Sequence, residues 1–150
     1  FALSDSETET NLKIPKRFNT INRHNYEEKF KLGCATIHSE NILLNEEFIA
    51  YKVKTIKLEN ILKDAKIGFI KIDVEGHEIN VLEGARNLIR INKPNLLIEI
   101  EERHSKAKVE KTINLINKLG YKSYFTDGLN LMSTSKLRDY SFNNNYIFIP

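Results

Sequence analysis

Asp73, Glu75, His77 and Glu78 place four polar or charged side chains within six positions, in the stretch GFIKIDVEGHEINVLEGARNLI from Gly68 to Ile89. The first part of that stretch reads as a buried strand and the last part as a helix. The charge therefore sits where a strand ends, which in an open parallel sheet is where ligands bind. Glu99 and Glu101 hold the corresponding place after the next apolar run, and neighbouring strands would bring these carboxylates to one crevice. A second role competes with chemistry: acidic residues before a helix are common caps, and Glu75 and Glu78 fall in or near a first turn where negative charge is favoured. Asp73, inside an otherwise apolar run, is harder to explain as a cap. Lys71 shares its parity and either pairs with a carboxylate or extends along an edge.

Asp73, Glu75 and His77 can also be drawn as oxygen and nitrogen ligands of a divalent ion. The strand ends before His77, so a shared side does not follow, and no metal is expected. A metal-dependent hydrolase using Asp73 and Glu99 is the minor reading. His104 beside Glu101 and Glu102 is a weaker candidate, readable as a surface-loop histidine. His24, His38, His77 and His104 show no HExxH spacing, and neither a glycine-rich phosphate loop nor a GxSxG elbow is present.

The elements that must position these groups follow from periodicity. Phe1 to Leu3 closes a short strand, Ser4 to Thr10 is turn-like, and Leu12 to Ile14 reads as an edge strand stopped by Pro15. Lys16 to Phe30 reads as an exposed loop, serving as a connection or as a substrate-facing lid. Ile49, Tyr51, Val53 and Thr55 alternate with Ala50, Lys52 and Lys54, which predicts a strand with one solvated face. Leu58 to Lys63 is a short helix or turn with Leu58, Ile61 and Leu62 inward. Phe69 to Val74 is a strand, and Gly76 allows the turn after it. Ile79, Leu82, Ala85 or Arg86, and Ile89 recur at helical spacing, with Val81 and Leu88 widening the face; this predicts one helix from Glu78 to Arg90. Pro94 ends it, and NLLIEIEE is the next strand. Val109, Ile113, Ile116 and Leu119 mark a helix capped by Gly120. YKSYFTDGLNLMST reads as a hairpin turning at Asp127-Gly128, and NYIFIP as a last strand. Strands and helices in alternation predict an α/β fold, its sheet mostly parallel and covered on both sides, with the hairpin as an antiparallel edge.

Bulk properties narrow the classes. The 150 residues suit one domain, and 41% hydrophobic with 29% charged residues is a globular balance. A net charge of +3 without a basic block gives no reason to expect a nucleic-acid partner. Cys34, the single cysteine, excludes an internal disulfide and suits a reducing compartment, so the expected location is cytoplasmic. No apolar run of about 18 residues predicts a membrane span, and no amino-terminal signal sequence is seen. The chain opens on Phe1 in the middle of a strand-like segment, so it is expected to be a piece of something longer.

The run FIKIDVEGHEINVLEGARNLIRINKPNLLIEI resembles the signature region of the FkbM-type methyltransferase family through Lys71, Asp73, Glu75, Gly76, Glu78, Leu82, Gly84, Ala85, Pro94 and Glu99. ALSDSETET resembles the family segment after the third sheet strand, and KTIKLENILKD the one leading into the fourth. There the chain departs, with Lys57-Leu58-Glu59 in place of Thr-Leu-Asp, which weakens a specific role for Glu59. The resemblance runs from Ala2 to the last strand. It implies a Rossmann-like domain that uses S-adenosyl-L-methionine to methylate a hydroxyl oxygen of a sugar or other natural product. It also implies that the first three strands, with the glycine-rich cofactor loop, would precede Phe1. On that footing Ala2, Ser4, Asp5 and Asp73 lie toward the cofactor, Asp73, Glu75 and Glu99 are the catalytic candidates, and His77, Glu101 and His104 face a small-molecule or carbohydrate acceptor. A carboxylate at Asp73 would orient the acceptor, take its proton, or balance the sulfonium charge. The alternative is a catalytically inactive half-domain, acting as a binding or assembly module or arising from a gene fragment. Its exposed sheet edge would invite pairing, including with a second copy.

Overall fold

The computed structural model describes residues 1–17, 29–30, 34–38, 47–101, 106–137, 139–140 and 143–150. Nine described strands form two sheets. β1 (Ala2–Leu3), β2 (Glu9–Arg17), β3 (Lys29–Phe30) and β4 (Phe48–Ile56) stand in the order β1-β4-β2-β3. β5 (Phe69–Ile72), β6 (Asn95–Glu99), β7 (Lys122–Thr126), β8 (Leu131–Ser133) and β9 (Asn145–Ile149) stand in the order β5-β6-β9-β7-β8. A short helix α1 (Leu58–Ile61) links the sheets; α2 (Glu78–Glu83) and α3 (Arg86–Asn92) join β5 to β6, and α4 (Lys106–Asn117) follows β6. No helix among the described residues is long and apolar enough to cross a membrane.

The expectation of a mostly parallel sheet is corrected. Two pairings are parallel, β1 with β4 and β5 with β6. Five are antiparallel: β2 with β3, β2 with β4, β6 with β9, β7 with β8 and β7 with β9. Since β6 and β7 both oppose β9, they run the same way, as their intervening helix predicts. The last strand of the chain inserts between them and converts one parallel neighbour pair into two antiparallel ones. That central place buries Tyr146 and Phe148 completely, and gives β9 hydrogen-bonded neighbours on both edges.

Residues of one parity form the core. Ile72, Leu96, Ile98, Phe125, Tyr146 and Phe148 on the strands meet Val81, Leu82, Ala85, Ile89, Val109, Ile113 and Ile116 on the helices in one cluster. Each fully buried aliphatic side chain of this kind contributes about 1.5–3 kcal/mol. Leu82 and Ile89 lie on the inward face, as their spacing predicts. The opposite parity is not covered as expected: Phe69 is 58% exposed, and Leu97 and Ile147 are half-buried. β5 forms the edge of its sheet among the described residues.

Other expectations change in detail. Pro15 does not stop β2, which continues to Arg17. Lys13 exchanges both backbone hydrogen bonds with Thr36, on the side away from β4. Pro15 shares that orientation, so its missing N–H costs the β2–β4 ladder nothing. Lys16 and Arg17, expected in a loop, belong to β2, and Lys29–Phe30 form β3; the rest of that expected loop lies outside the described residues. Ile61, expected inward, is 42% exposed. The β5 strand ends at Ile72, two residues before Val74. The hairpin turn spans Asp127 to Asn130, with the Asp127 carboxylate accepting from the amides of Leu129 and Asn130.

The helix expected from Glu78 to Arg90 is two helices, parted at Gly84 and Ala85. A Cβ at Gly84 would stand 1.9 Å from the Ser4 carbonyl oxygen. The chain after β1 thus lies directly on the junction of α2 and α3. The Gly84 carbonyl accepts from the Glu59 amide, and the Glu59 carboxylate accepts from the Asn87 amide in the first turn of α3. Glu59, a departure from the family pattern, caps a helix.

Gly84→Ala should destabilise the fold by at least about 1–3 kcal/mol through overpacking against backbone. Urea unfolding with a midpoint equal to wild type would show that the β1 loop is not held there. A second expectation concerns Tyr121, whose hydroxyl donates to the Pro94 carbonyl at 2.9 Å. Burial pushes its phenol up from 10.0 to about 12. The neutral form is the one the fold favours. The stability it contributes is complete below pH 10.0 and is lost as pH rises through about 12. Ultraviolet titration should show a late-ionising tyrosine that Tyr121→Phe removes; a variant titration curve superimposable on wild type, tyrosine count aside, would contradict this.

Candidate functional site

The parallel register of β5 and β6 aligns Ile72 with Ile98, so Asp73 and Glu99 follow at the same end of adjacent strands. One crevice there is lined by Asp73, Glu75, Gly76, Glu78, Glu99 and Glu101. The structure thus brings together Asp73, Glu75, Glu99 and Glu101 of the sequence candidates. His104 lies outside the described residues.

Asp73 sits just past the strand with its carboxylate open to solvent, and its Oδ2 accepts from Lys71 Nζ at 2.9 Å. Lys71 and Asp73 are two apart in extended chain, which puts both on one face. The Asp73 hydrogen bond and charge, helped by Glu99, hold the Lys71 ammonium above its ordinary value. At this exposure the pair adds little to stability; its effect is to orient the two side chains.

Beyond Asp73 the backbone turns left-handed twice, at Glu75 (φ 49°) and Gly76 (φ 104°). Gly76 adopts this freely, whereas Glu75 is strained by about 1–2 kcal/mol. Several contacts hold the turn, among them a bond from the His77 amide to the Val74 carbonyl. The Gly76 amide donates to Glu78 Oε1 at 2.7 Å, with Glu78 only 3% exposed. The Glu75 carbonyl accepts from Thr36 Oγ1 at 2.9 Å. Glu78 is therefore tied to its own turn, the capping role that competed with chemistry in the sequence. Thr36 was not singled out by the sequence, because its partner is a backbone carbonyl 39 positions away.

His77, Ser4 and Asp5 meet beside this turn rather than in the crevice. Ser4 Oγ and His77 Nε2 are 2.9 Å apart, and Ser4 Oγ also donates to Asp5 Oδ1 at 3.1 Å. Asn80 Nδ2 donates to Asp5 Oδ2 at 3.1 Å. Partial burial pushes the Asp5 carboxyl up, but hydrogen bonds from Asn80, Ser4 and Ser6 outweigh it and hold it below its ordinary value. The His38 ring lies 6.4 Å from that of His77. Ala2 is spent on β1, paired with Thr55.

The fit to an S-adenosylmethionine molecule is poor. The acidic crevice encloses about 10 Å³, room for about one water, whereas small-molecule sites run to about 300–1,000 Å³. Ser4 and Asp5 direct their polar atoms at His77 and Asn80. A larger open concavity of about 620 Å³ lies elsewhere, between the Phe1 end of β1, Glu7 and the Lys52–Lys54 part of β4. Among the described residues no three His, Cys, Asp or Glu side chains converge as a metal set.

Comparison with known proteins gives a family. The Methyltransferase FkbM domain matches residues 1–146. A solved structure of methyltransferase FkbM from Methylobacillus flagellatus KT is similar at 23% identity and a TM-score of 0.47, over 65% of this chain and 23% of that one. This chain thus spans under a quarter of that protein's length. No curated protein matches the chain significantly.

The hydrogen bond at the turn sets an expectation. Glu78→Ala strips the buried Gly76 amide of its charged acceptor and should cost about 1.5–3 kcal/mol. Chemical denaturation measures it, and a loss below about 0.5 kcal/mol would mean that the turn is held without Glu78.

Proposed function

We propose, from the premise that the chain belongs to the FkbM methyltransferase family, that the whole protein methylates a hydroxyl oxygen of a carbohydrate or other small-molecule acceptor, with S-adenosylmethionine as donor. The observation that carries this reading is the parallel β5–β6 pair. It delivers Asp73 and Glu99 to one strand end within the family-matched segment. Asp73 is the residue assigned to the acceptor. It is open to solvent, oriented by Lys71, and able to accept a hydroxyl proton; Glu75 and Glu99 flank it. His77 acts from behind, by fixing Ser4. The lone Cys34 suits a reducing, cytoplasmic setting. The β5 edge, with Phe69 exposed, offers backbone groups for pairing with a further strand, including one from a second copy.

The described residues do not cradle the cofactor. That same misfit favours a second reading, in which these 150 residues act as a binding or assembly module. Titration calorimetry separates the two: the chain by itself should take up S-adenosylmethionine weakly or not at all, while the whole protein should bind it. Stoichiometric binding to the 150 residues would show that they hold a cofactor site in spite of the narrow crevice.

In the whole protein Asp73→Asn keeps the shape and removes the charge. Turnover, followed as methyl transfer from labelled donor to a panel of sugars and alcohols, should fall about 10²–10⁴-fold if Asp73 moves the proton. Stability should hardly change, since the side chain is solvent-open. Normal turnover in this variant would make Asp73 structural.

A further inference from the structure

Thr36 is among the most deeply buried polar residues, at 1% exposure, yet it belongs to no described strand or helix. Every polar group it has is engaged. Its amide and carbonyl pair with those of Lys13 on β2, at 3.0 and 2.9 Å. Its hydroxyl accepts from the His38 amide at 3.0 Å and donates to the Glu75 carbonyl at 2.9 Å. The accepted bond leaves the hydroxyl proton directed at Glu75. The residue so held is one of two non-glycine residues with positive φ among the described residues, and it stands between Asp73 and Gly76 in the turn.

We propose that Thr36 is a positioning residue of the acceptor site: its hydroxyl locks the left-handed Glu75 peptide and so sets the direction in which Asp73 and Glu75 present their carboxylates. The proposal rests on the methyltransferase reading for its catalytic meaning, but not for its geometry. A carbonyl rotated by a left-handed residue points away from the path an extended chain would give it, so it needs a donor placed for that one orientation. Thr36 supplies it from a segment bridged to β2 of the other sheet. Through Lys13 the same residue fastens β2 to the turn, so the four-stranded sheet bears on the strand end that carries the acids. The hydroxyl also aims the His38 amide, which places His38 near His77 on the flank of the turn. Valine matches the shape of threonine and makes neither hydroxyl bond. Serine makes both and lacks only the methyl group.

The test compares Thr36→Val with Thr36→Ser at two levels. In the chain itself, NMR follows the Gly76 amide, whose peptide contains the Glu75 carbonyl, and hydrogen exchange of the His38 amide. The β6 and α4 amides report whether the fold is kept. Valine should shift the Gly76 resonance and speed His38 exchange about tenfold or more, and serine should restore both. In the whole protein, with tritium-labelled S-adenosylmethionine and a panel of monosaccharides as acceptors, valine should lower kcat about 10–100-fold with KM for the donor unchanged. Serine should stay near wild type. An unmoved Gly76 amide in the valine variant overturns the proposal. So does a shifted amide with unchanged kcat, which would make Thr36 structural only. If wild type transfers no methyl group to any acceptor, the methyltransferase reading falls, while the two amides still decide whether Thr36 sets the turn.

Discussion

The Ser4 carbonyl occupies the space where any residue but glycine at position 84 would carry its Cβ, and much of the candidate site depends on that contact. With the chain after β1 pressed onto the α2–α3 junction, Ser4 comes within reach of His77 and Asp5 within reach of Asn80. The Gly84 carbonyl, on the same junction, receives the Glu59 amide. The three attachments act on one short stretch of helix from different directions. They fix where α2 begins, and the start of α2 is the end of the turn that carries Asp73 and Glu75. A close backbone approach far from the acids thereby limits how those acids can move. Close-packed interiors pass such a constraint on because no slack is available to absorb it.

The turn itself is a compromise between strain and satisfaction. A non-glycine residue with positive φ is disfavoured wherever it stands. At Glu75 the cost is offset by bonds that exist only in that geometry, from Thr36 to its carbonyl and from the next amide to Glu78. Both partners are nearly buried, so breaking either bond would leave a polar group without water to replace it. Backbone outliers held by surrounding structure concentrate at functional sites. Here the outlier is itself a candidate acid, two residues after Asp73.

Local pattern made some of this legible and distance hid the rest. The β5–β6 unit could be read because its apolar runs are short, the helical repeat between them is strong, and Pro94 marks the boundary; the parallel pairing and the shared end of Asp73 and Glu99 follow from it. The inward faces of Leu82 and Ile89 follow from helical spacing. What could not be read depends on partners remote in sequence. NYIFIP announces a strand but not that it will insert between β6 and β7, so the parallel sheet was overestimated. The backbone packed on Gly84 belongs to a residue 80 positions earlier, and periodicity alone runs through the break between α2 and α3. Pro15 was given its usual role as a stop; its tolerance depends on which edge its nitrogen faces, which the Lys13–Thr36 bridge reveals. Ser4 and Asp5, expected toward a cofactor, have His77 and Asn80 among their hydrogen-bond partners.

Charge restricts what the crevice can admit. Five carboxylate-bearing residues line about 10 Å³, and Lys71 is the cation that pairs with Asp73 at the rim. A crevice lined by carboxylates favours a neighbour that brings positive charge or hydrogen-bond donors, and disfavours another anion. A neutral hydroxyl meets that condition as a donor, whereas a phosphate or carboxylate ligand would have to overcome the repulsion. Widening the crevice would separate β5 from β6 at their ends or shift the Glu75 turn. The ladder resists the first through its regular parallel pairing. The second requires loosening bonds to Thr36 and Glu78.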